Sequence, residues 1–214
     1  MYRKFISVPI SLLFALGATT AIAGQFSQSD IGQSIPYWVD ALATVNNSGE
    51  VAWTKMNTAE NGGEARFYSV GTGSVALPTN GSAISYAGDI TDSGWIAGYA
   101  SSTPRLLDQR ALVWVKSGTS SFTIRELDSA FPENAIPQQS AARGINASAS
   151  PGSYTVAGSA RAKVNHTTFP QPVVWTVSAS SVDVQKLALP SGEGQGIAVG
   201  VGAVDGSGAQ WVCG

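Results

Sequence analysis

The chain has 214 residues, with 12 Lys and Arg against 14 Asp and Glu, and only 12% of its residues are charged, about half the usual fraction. A slight acidic excess with no cluster of cations argues against nucleic acid as a partner, because phosphate binding needs grouped Lys and Arg. One cysteine (Cys213) and one histidine (His166) exclude an intramolecular disulfide and are too few for the ligand sets of zinc, copper or haem, so no cofactor is expected.

The first predicted element, Met1 to Ala23, has the three parts of a secretory signal peptide. Arg3 and Lys4 form a charged start, Ile10 to Ala18 an apolar stretch, and Ala21-Ile22-Ala23 a small-x-small cleavage site. The apolar stretch is too short for a helix to span about 30 Å of hydrocarbon. Residues 24–214 are then the mature chain, with no further long apolar run and hence no expected membrane span. Losing Arg3 and Lys4 from the 12 cations leaves 10 against 14 anions, a net charge of −4. The expected location is secreted, periplasmic or at the cell surface.

A repeated unit fills the rest, with copies at about 43–86, 87–140 and 141–199 and a partial copy at 200–214. Each holds an apolar residue, a polar turn ending in Gly, and a short apolar strand. The first copy reads Val45-Asn46-Asn47-Ser48-Gly49-Glu50-Val51-Ala52, and the second runs from Ile90-Thr91-Asp92-Ser93-Gly94-Trp95 to Tyr99. The third runs from Gly144-Ile145-Asn146 through an insertion at Pro151-Gly152 to Gly158. The fourth is Val204-Asp205-Gly206-Ser207-Gly208, then Gln210 to Gly214. Asn or Asp bonds its own backbone two residues on, and Gly accepts φ > 0, so each is a hairpin turn.

A second element follows in the first three copies: Ala65 to Val70, Arg110 to Val115 and Pro172 to Val177. A third ends in leucine, at Leu77, Leu127 and Leu187. A fourth strand is expected ahead of the turns, as in Ser82 to Ile90 and Ser140 to Ile145. Ser129 to Gly144 has room for a turn of helix, interrupted by Pro132 and Pro137, and Lys163 to Pro172 reads as a loop insertion. Four short strands every 45 to 60 residues is the rhythm of a β-propeller blade. The expected fold is therefore all-β, a propeller-like array of three to four four-stranded repeats in one domain.

At Ile90 to Gly98 with Arg110 to Trp114, and Gly144 to Gly158 with Pro172 to Trp175, the chain resembles the bacterial extracellular HAF-repeat family. Its pattern is G-I-N-x-x-G-x-V-x-G followed by x-A-F-x-W. Arg110 and Pro172 sit near the place of the family's histidine, and Leu112 or Val173 replaces its phenylalanine. The resemblance implies a secreted or surface propeller-like array and no catalytic residues.

Asp92 and Asp205, with Asn47 and Asn146, sit in the repeated turns, where hard oxygen ligands would suit calcium. One carboxylate or amide per turn favours a capped hairpin instead, and no metal is assigned. Trp114 and Trp175 recur inside apolar strands and read as packing between repeats. Trp95 and Trp211 share a place directly or nearly after a turn and are the ligand-binding candidates, for a glycan or a protein.

No catalytic residue is assigned. There is no Gly-x-Ser-x-Gly elbow, and Gly192, Gly194 and Gly196 lack a phosphate-loop pattern. The expected role is a non-catalytic binding or surface-structural module. The other function class is a secreted polysaccharide hydrolase using Glu60, Glu64, Asp128 or Glu133, which requires two carboxylates across one cleft. The fourth copy lacks its later strands. Gln25 to Ala43 would supply them in a closed ring, a fragment of a longer chain would lack them, and an open array would present free strand edges to self-association.

Overall fold

The computed structural model describes residues 43–57, 62–103, 108–127, 135–164 and 167–214, in the compact unit that spans Ile31–Gly214. The export signal, the segment from Gln25 to Leu42, Glu60, Asp128, Glu133 and His166 lie outside the described residues.

The described chain is all-β and antiparallel. β1 (Thr44–Val45), β2 (Val51–Asn57), β3 (Gly62–Ser69) and β4 (Gly73–Ala76) form the first sheet. β5 (Ile84–Ile90), β6 (Ile96–Ser101), β7 (Arg110–Lys116) and β8 (Phe122–Glu126) form the second. β9 (Ala135–Ala147), β10 (Tyr154–Val164), β11 (Thr167–Val177) and β12 (Val182–Lys186) form the third. β13 (Gly200–Val204) pairs with β14 (Gln210–Cys213) in a two-stranded fourth. Among the described residues no helix is long and apolar enough to cross a membrane.

The turns form for the reason their composition suggests. Gly49, Gly94 and Gly208 have φ of 73°, 80° and 83°. Their N–H groups donate to the carbonyls of Asn46, Thr91 and Asp205 at 3.0, 2.9 and 3.0 Å. A residue with a Cβ pays for that backbone region, and glycine does not. The leucine that closes each third element is equally regular. Leu77, Leu127 and Leu187 donate their N–H to the carbonyls of Ala65, Ala111 and Pro172 at 2.9, 3.0 and 2.9 Å. Ala65, Ala111 and Pro172 thus hold one structural position in three sheets, and Tyr68, Trp114 and Trp175, each three residues on, hold another.

Two stretches differ from the sequence reading. No helical turn lies in the described part of Ser129 to Gly144, because β9 begins at Ala135 and runs through Pro137. Lys163 to Pro172 is not a loop, because β10 and β11 continue as one long hairpin, with Arg161 opposite Pro170 and Val164 opposite Thr167. The prolines fit within the strand because β11's carbonyls still serve there: Gly196 N donates to Pro170 O at 3.0 Å and Leu187 N to Pro172 O.

The sheets stack in chain order through their first strands. β5 packs on β1, β2 and β3, β9 on β5, β6 and β7, and β13 on β9 and β10. Strand alternation gives each middle sheet two buried faces. Ile96, Leu112 and Trp114 join Ala52, Ala65, Phe67 and Leu77 in a core layer between the first two sheets. Ala97, Ala111, Val113 and Leu127 face the other way and meet Ile145, Val156, Val173 and Trp175 of the third. Trp114 and Trp175 are fully buried, so packing between repeats is the role they serve. Each ring lies over a glycine of the neighbouring strand. A Cβ at Gly98 would come within 2.6 Å of Trp114, and one at Gly158 within 2.9 Å of Trp175.

Candidate functional site

Three kinds of polar group cross the sheet boundaries. Ser85 and Ser140, both buried, sit at matching places in β5 and β9. Ser85 Oγ accepts the N–H of Ala65 at 2.9 Å, and Ser140 Oγ accepts that of Ala111 at 2.8 Å. At the next boundary Pro172 takes the alanine's place and has no N–H to satisfy, and Gly196 takes the serine's place and has no hydroxyl. The same strand contact marks both positions: Ser140 N donates to Gln109 O at 3.0 Å, as Gly196 N does to Pro170 O. These serines were not singled out in the sequence, although Ser85-Tyr86-Ala87, Ser140-Ala141-Ala142 and Gly196-Ile197-Ala198 share a small-x-Ala signature.

The second kind involves the turns. Both oxygens of Asp92 are occupied by the preceding turn, Oδ1 by Asn47 N at 2.9 Å and Oδ2 by Asn47 Nδ2 at 2.8 Å. Asp205 is fully exposed and folds onto its own turn, its Oδ1 accepting from Ser207 N at 2.8 Å and Ala209 N at 3.0 Å. These hydrogen bonds from Ser207 and Ala209 hold its carboxyl below the ordinary range. Asn46 makes the matching bonds to Ser48 N and Glu50 N, so Asp205 corresponds to Asn46 and Asp92 to Asn47. Asn146 lies not in a turn but on β9, and the third turn is Ser148 to Ser153. Among the described residues, no three His, Cys, Asp or Glu side chains come close enough together to hold a metal ion.

Partly buried carboxyl chemistry is the third kind. Asp89, on β5, reaches the next sheet: its Oδ2 accepts from Ile145 N at 3.1 Å and its Oδ1 from Ile90 N at 2.9 Å. Burial raises its carboxyl above the usual range, and those two N–H groups only partly offset this. Asp108 has the opposite balance. Burial pushes it up, but hydrogen bonds from Ser101, Ser102 and Thr103 outweigh that and hold it well below the ordinary range. Glu64 is engaged in an ion pair with Arg66 at 2.5 Å, and Glu50 in one with Lys116.

The two candidate tryptophans have different fates. Trp95 is partly buried and stacks on Tyr154 of the third sheet, with ring centroids 4.1 Å apart at 27°. The Tyr154 hydroxyl and Ser93 Oγ lie 2.7 Å apart, closing the same contact. One boundary later the equivalent pair is Thr155 and Gln210, joined at 2.5 Å. Trp211 follows in the same series, three residues before Gly214 as Trp95 is before Gly98, and it is 76% exposed. The structure therefore does not bring Trp95 and Trp211 into one platform. Cys213 is exposed on the same strand as Trp211.

A groove of about 490 Å³ runs beside β14, lined by Pro172 of β11, by Leu187 to Pro190 after β12, and by Val212 and Gly214. No family model matches the chain, and no curated protein matches it.

Proposed function

We propose that the chain is an exported, non-catalytic repeat protein of the propeller-like kind its motif resembles, with its sheets as blades and a binding or surface-structural role outside the cytoplasm. Its ligand would be a glycan or a protein, and Trp211 the anchor. The observation that carries this reading is the contrast between Trp95, covered by Tyr154, and Trp211, exposed at the equivalent place. An exposed aromatic offers a flat apolar face to a sugar or a peptide side chain. The polar residues at the sheet boundaries serve cohesion, which supports a scaffold more than a catalyst. Among the described residues β14 pairs only with β13, which supports self-association through a strand edge as a further property.

The test is a glycan and peptide array probed with the wild-type chain and with Trp211→Ala. Loss of the detected interactions in a variant of unchanged thermal stability is the expected result. Full retention of every interaction overturns the assignment of Trp211.

A further inference from the structure

The chain passes from the first sheet to the second through a turn at Asn80-Gly81, between Leu77 and the start of β5. Asn80 has φ of 48° and Gly81 φ of 83°, and Ser82 N donates to Thr79 O at 2.9 Å. Two left-handed residues closed by that bond form a tight turn that Asn-Gly favours, because Asn tolerates this backbone and Gly adopts it freely. Among the described residues Asn80 is the only one besides glycine at positive φ.

The same pair is placed to react. The side-chain amide carbon of an asparagine is an electrophile, and the next backbone nitrogen reaches it by closing a five-membered ring. Gly81 has no side chain to crowd that approach, and nothing stands within 4 Å of a Cβ placed on it. Its N–H donates to nothing among the described residues, and both residues are exposed, so solvent can take the proton. The leaving amide is loosely held: Asn80 Nδ2 lies 3.5 Å from Glu126 Oε1, beyond the usual hydrogen-bond range. Asn46 and Asn47 differ. Asn46 Nδ2 donates to Glu50 Oε2 and to Thr91 O at 2.9 Å, and Asn47 Nδ2 to Asp92 Oδ2 at 2.8 Å. Asn46, Asn47 and Asn146 are also followed by Asn47, Ser48 and Ala147, each with a Cβ in the way.

We propose that Asn80-Gly81 is a site of self-modification, at which the chain converts its own asparagine to aspartate and isoaspartate and so loosens the joint between the first two sheets. Gly81 N bonds to Asn80 Cγ, the Cγ–Nδ2 bond breaks, and Nδ2 leaves as ammonia with the proton that Gly81 gave up to solvent. The resulting succinimide takes up one water. Opening at Cγ leaves aspartate, and opening at the main-chain carbonyl of residue 80 leaves isoaspartate. One water enters and one ammonia leaves, with no change of oxidation state. The place of the turn gives this a structural effect. Pro78 O, two residues earlier, accepts the Nε1–H of Trp114 at 2.8 Å, and Trp114 is fully buried between the sheets. Aspartate at position 80 sets a second carboxylate beside Glu126, whose own cation, Arg110, is 3.9 Å away. Isoaspartate threads the main chain through the side chain's Cβ and breaks the turn.

The test ages the full folded chain at mildly alkaline pH and follows each asparagine by peptide mapping that separates asparagine, aspartate and isoaspartate. Conversion at Asn80 ahead of Asn46, Asn47 and Asn146 is expected, with both acids formed because the succinimide opens both ways. Gly81→Ala should slow it severalfold. Asn80→Gly keeps a residue at ease with the turn's backbone and has no amide to lose. The melting temperature of the wild type should fall on ageing, and that of Asn80→Gly should fall less. Asn80 left intact while Asn46, Asn47 or Asn146 converts, aspartate without isoaspartate, or an unchanged rate in Gly81→Ala overturns the modification. A melting temperature that stays constant through full conversion overturns the loosened joint. So does an equal fall in aged Asn80→Gly, which would assign the effect to the chain's other Asn-Gly pair, Asn61-Gly62.

Discussion

Ser140 and Ala111 belong to different sheets, yet the hydroxyl oxygen of one accepts the amide proton of the other at 2.8 Å. Ala111 is fully buried and Ser140 is 1% exposed, so no water stands ready to replace the bond. Ser140→Ala should cost about 1–3 kcal/mol, the penalty for leaving a buried donor unmet. Ser85→Ala should cost about as much by the same argument. Pro172 opposite Gly196 indicates how the loss can be offset: adding Ala111→Pro to Ser140→Ala should return part of it by removing the donor. Urea unfolding of the three variants checks this, and a double variant no more stable than Ser140→Ala would count against the pairing.

The Asp92 carboxylate acts as a clamp on the Asn47 turn, not as a metal ligand. Since the contact is exposed, Asp92→Ala should cost less than about 1 kcal/mol. The melting temperature should be the same in millimolar calcium and in chelator. A calcium-dependent rise that vanishes in Asp92→Ala would reverse this reading.

Asp89 should impose a pH dependence of its own. Its carboxyl is raised in the folded chain by burial, so the folded state holds the proton more tightly than the unfolded state. The resulting stabilisation is complete below the ordinary carboxylate value and is lost as pH rises through the raised one. Melting temperature measured across that interval should therefore contain a declining component that Asp89→Asn removes. An identical profile in wild type and variant would show that the group does not titrate as its surroundings require.

Gly98 tests the close approach of Trp114 to the strand beneath it. A Cβ there meets both the Tyr86 carbonyl and the indole, so Gly98→Ala should cost about 1–3 kcal/mol or more. Gly71, with nothing within 4 Å of a Cβ, should tolerate alanine within about 0.5 kcal/mol. Equal effects at the two sites would mean that the indole does not sit where the structure places it.

Much of this order was legible in the residues. Gly49, Gly94 and Gly208 mark turns because few other residues accept that backbone, and Leu77, Leu127 and Leu187 mark strand ends because each is set against the same position. The first strands β5 and β9 follow from the apolar stretches ahead of the turns. What failed to show was cohesion between sheets. Ser85 and Ser140 bond to a backbone N–H, which has no sequence signature, in a chain where serine is everywhere. Trp95 reads as exposed because its cover, Tyr154, lies in another sheet. The long β10–β11 hairpin was hidden by Pro170 and Pro172, which break strands only where their N–H would be needed.

The central claim is that buried hydroxyl latches join the first three sheets in series. Residue-resolved hydrogen exchange on the full chain tests it most directly. The account predicts that the amides of Ala65 and Ala111 exchange only through global unfolding, while that of the exposed Gly71 exchanges far faster. Exchange of the Ala65 or Ala111 amide as fast as that of Gly71 would contradict it.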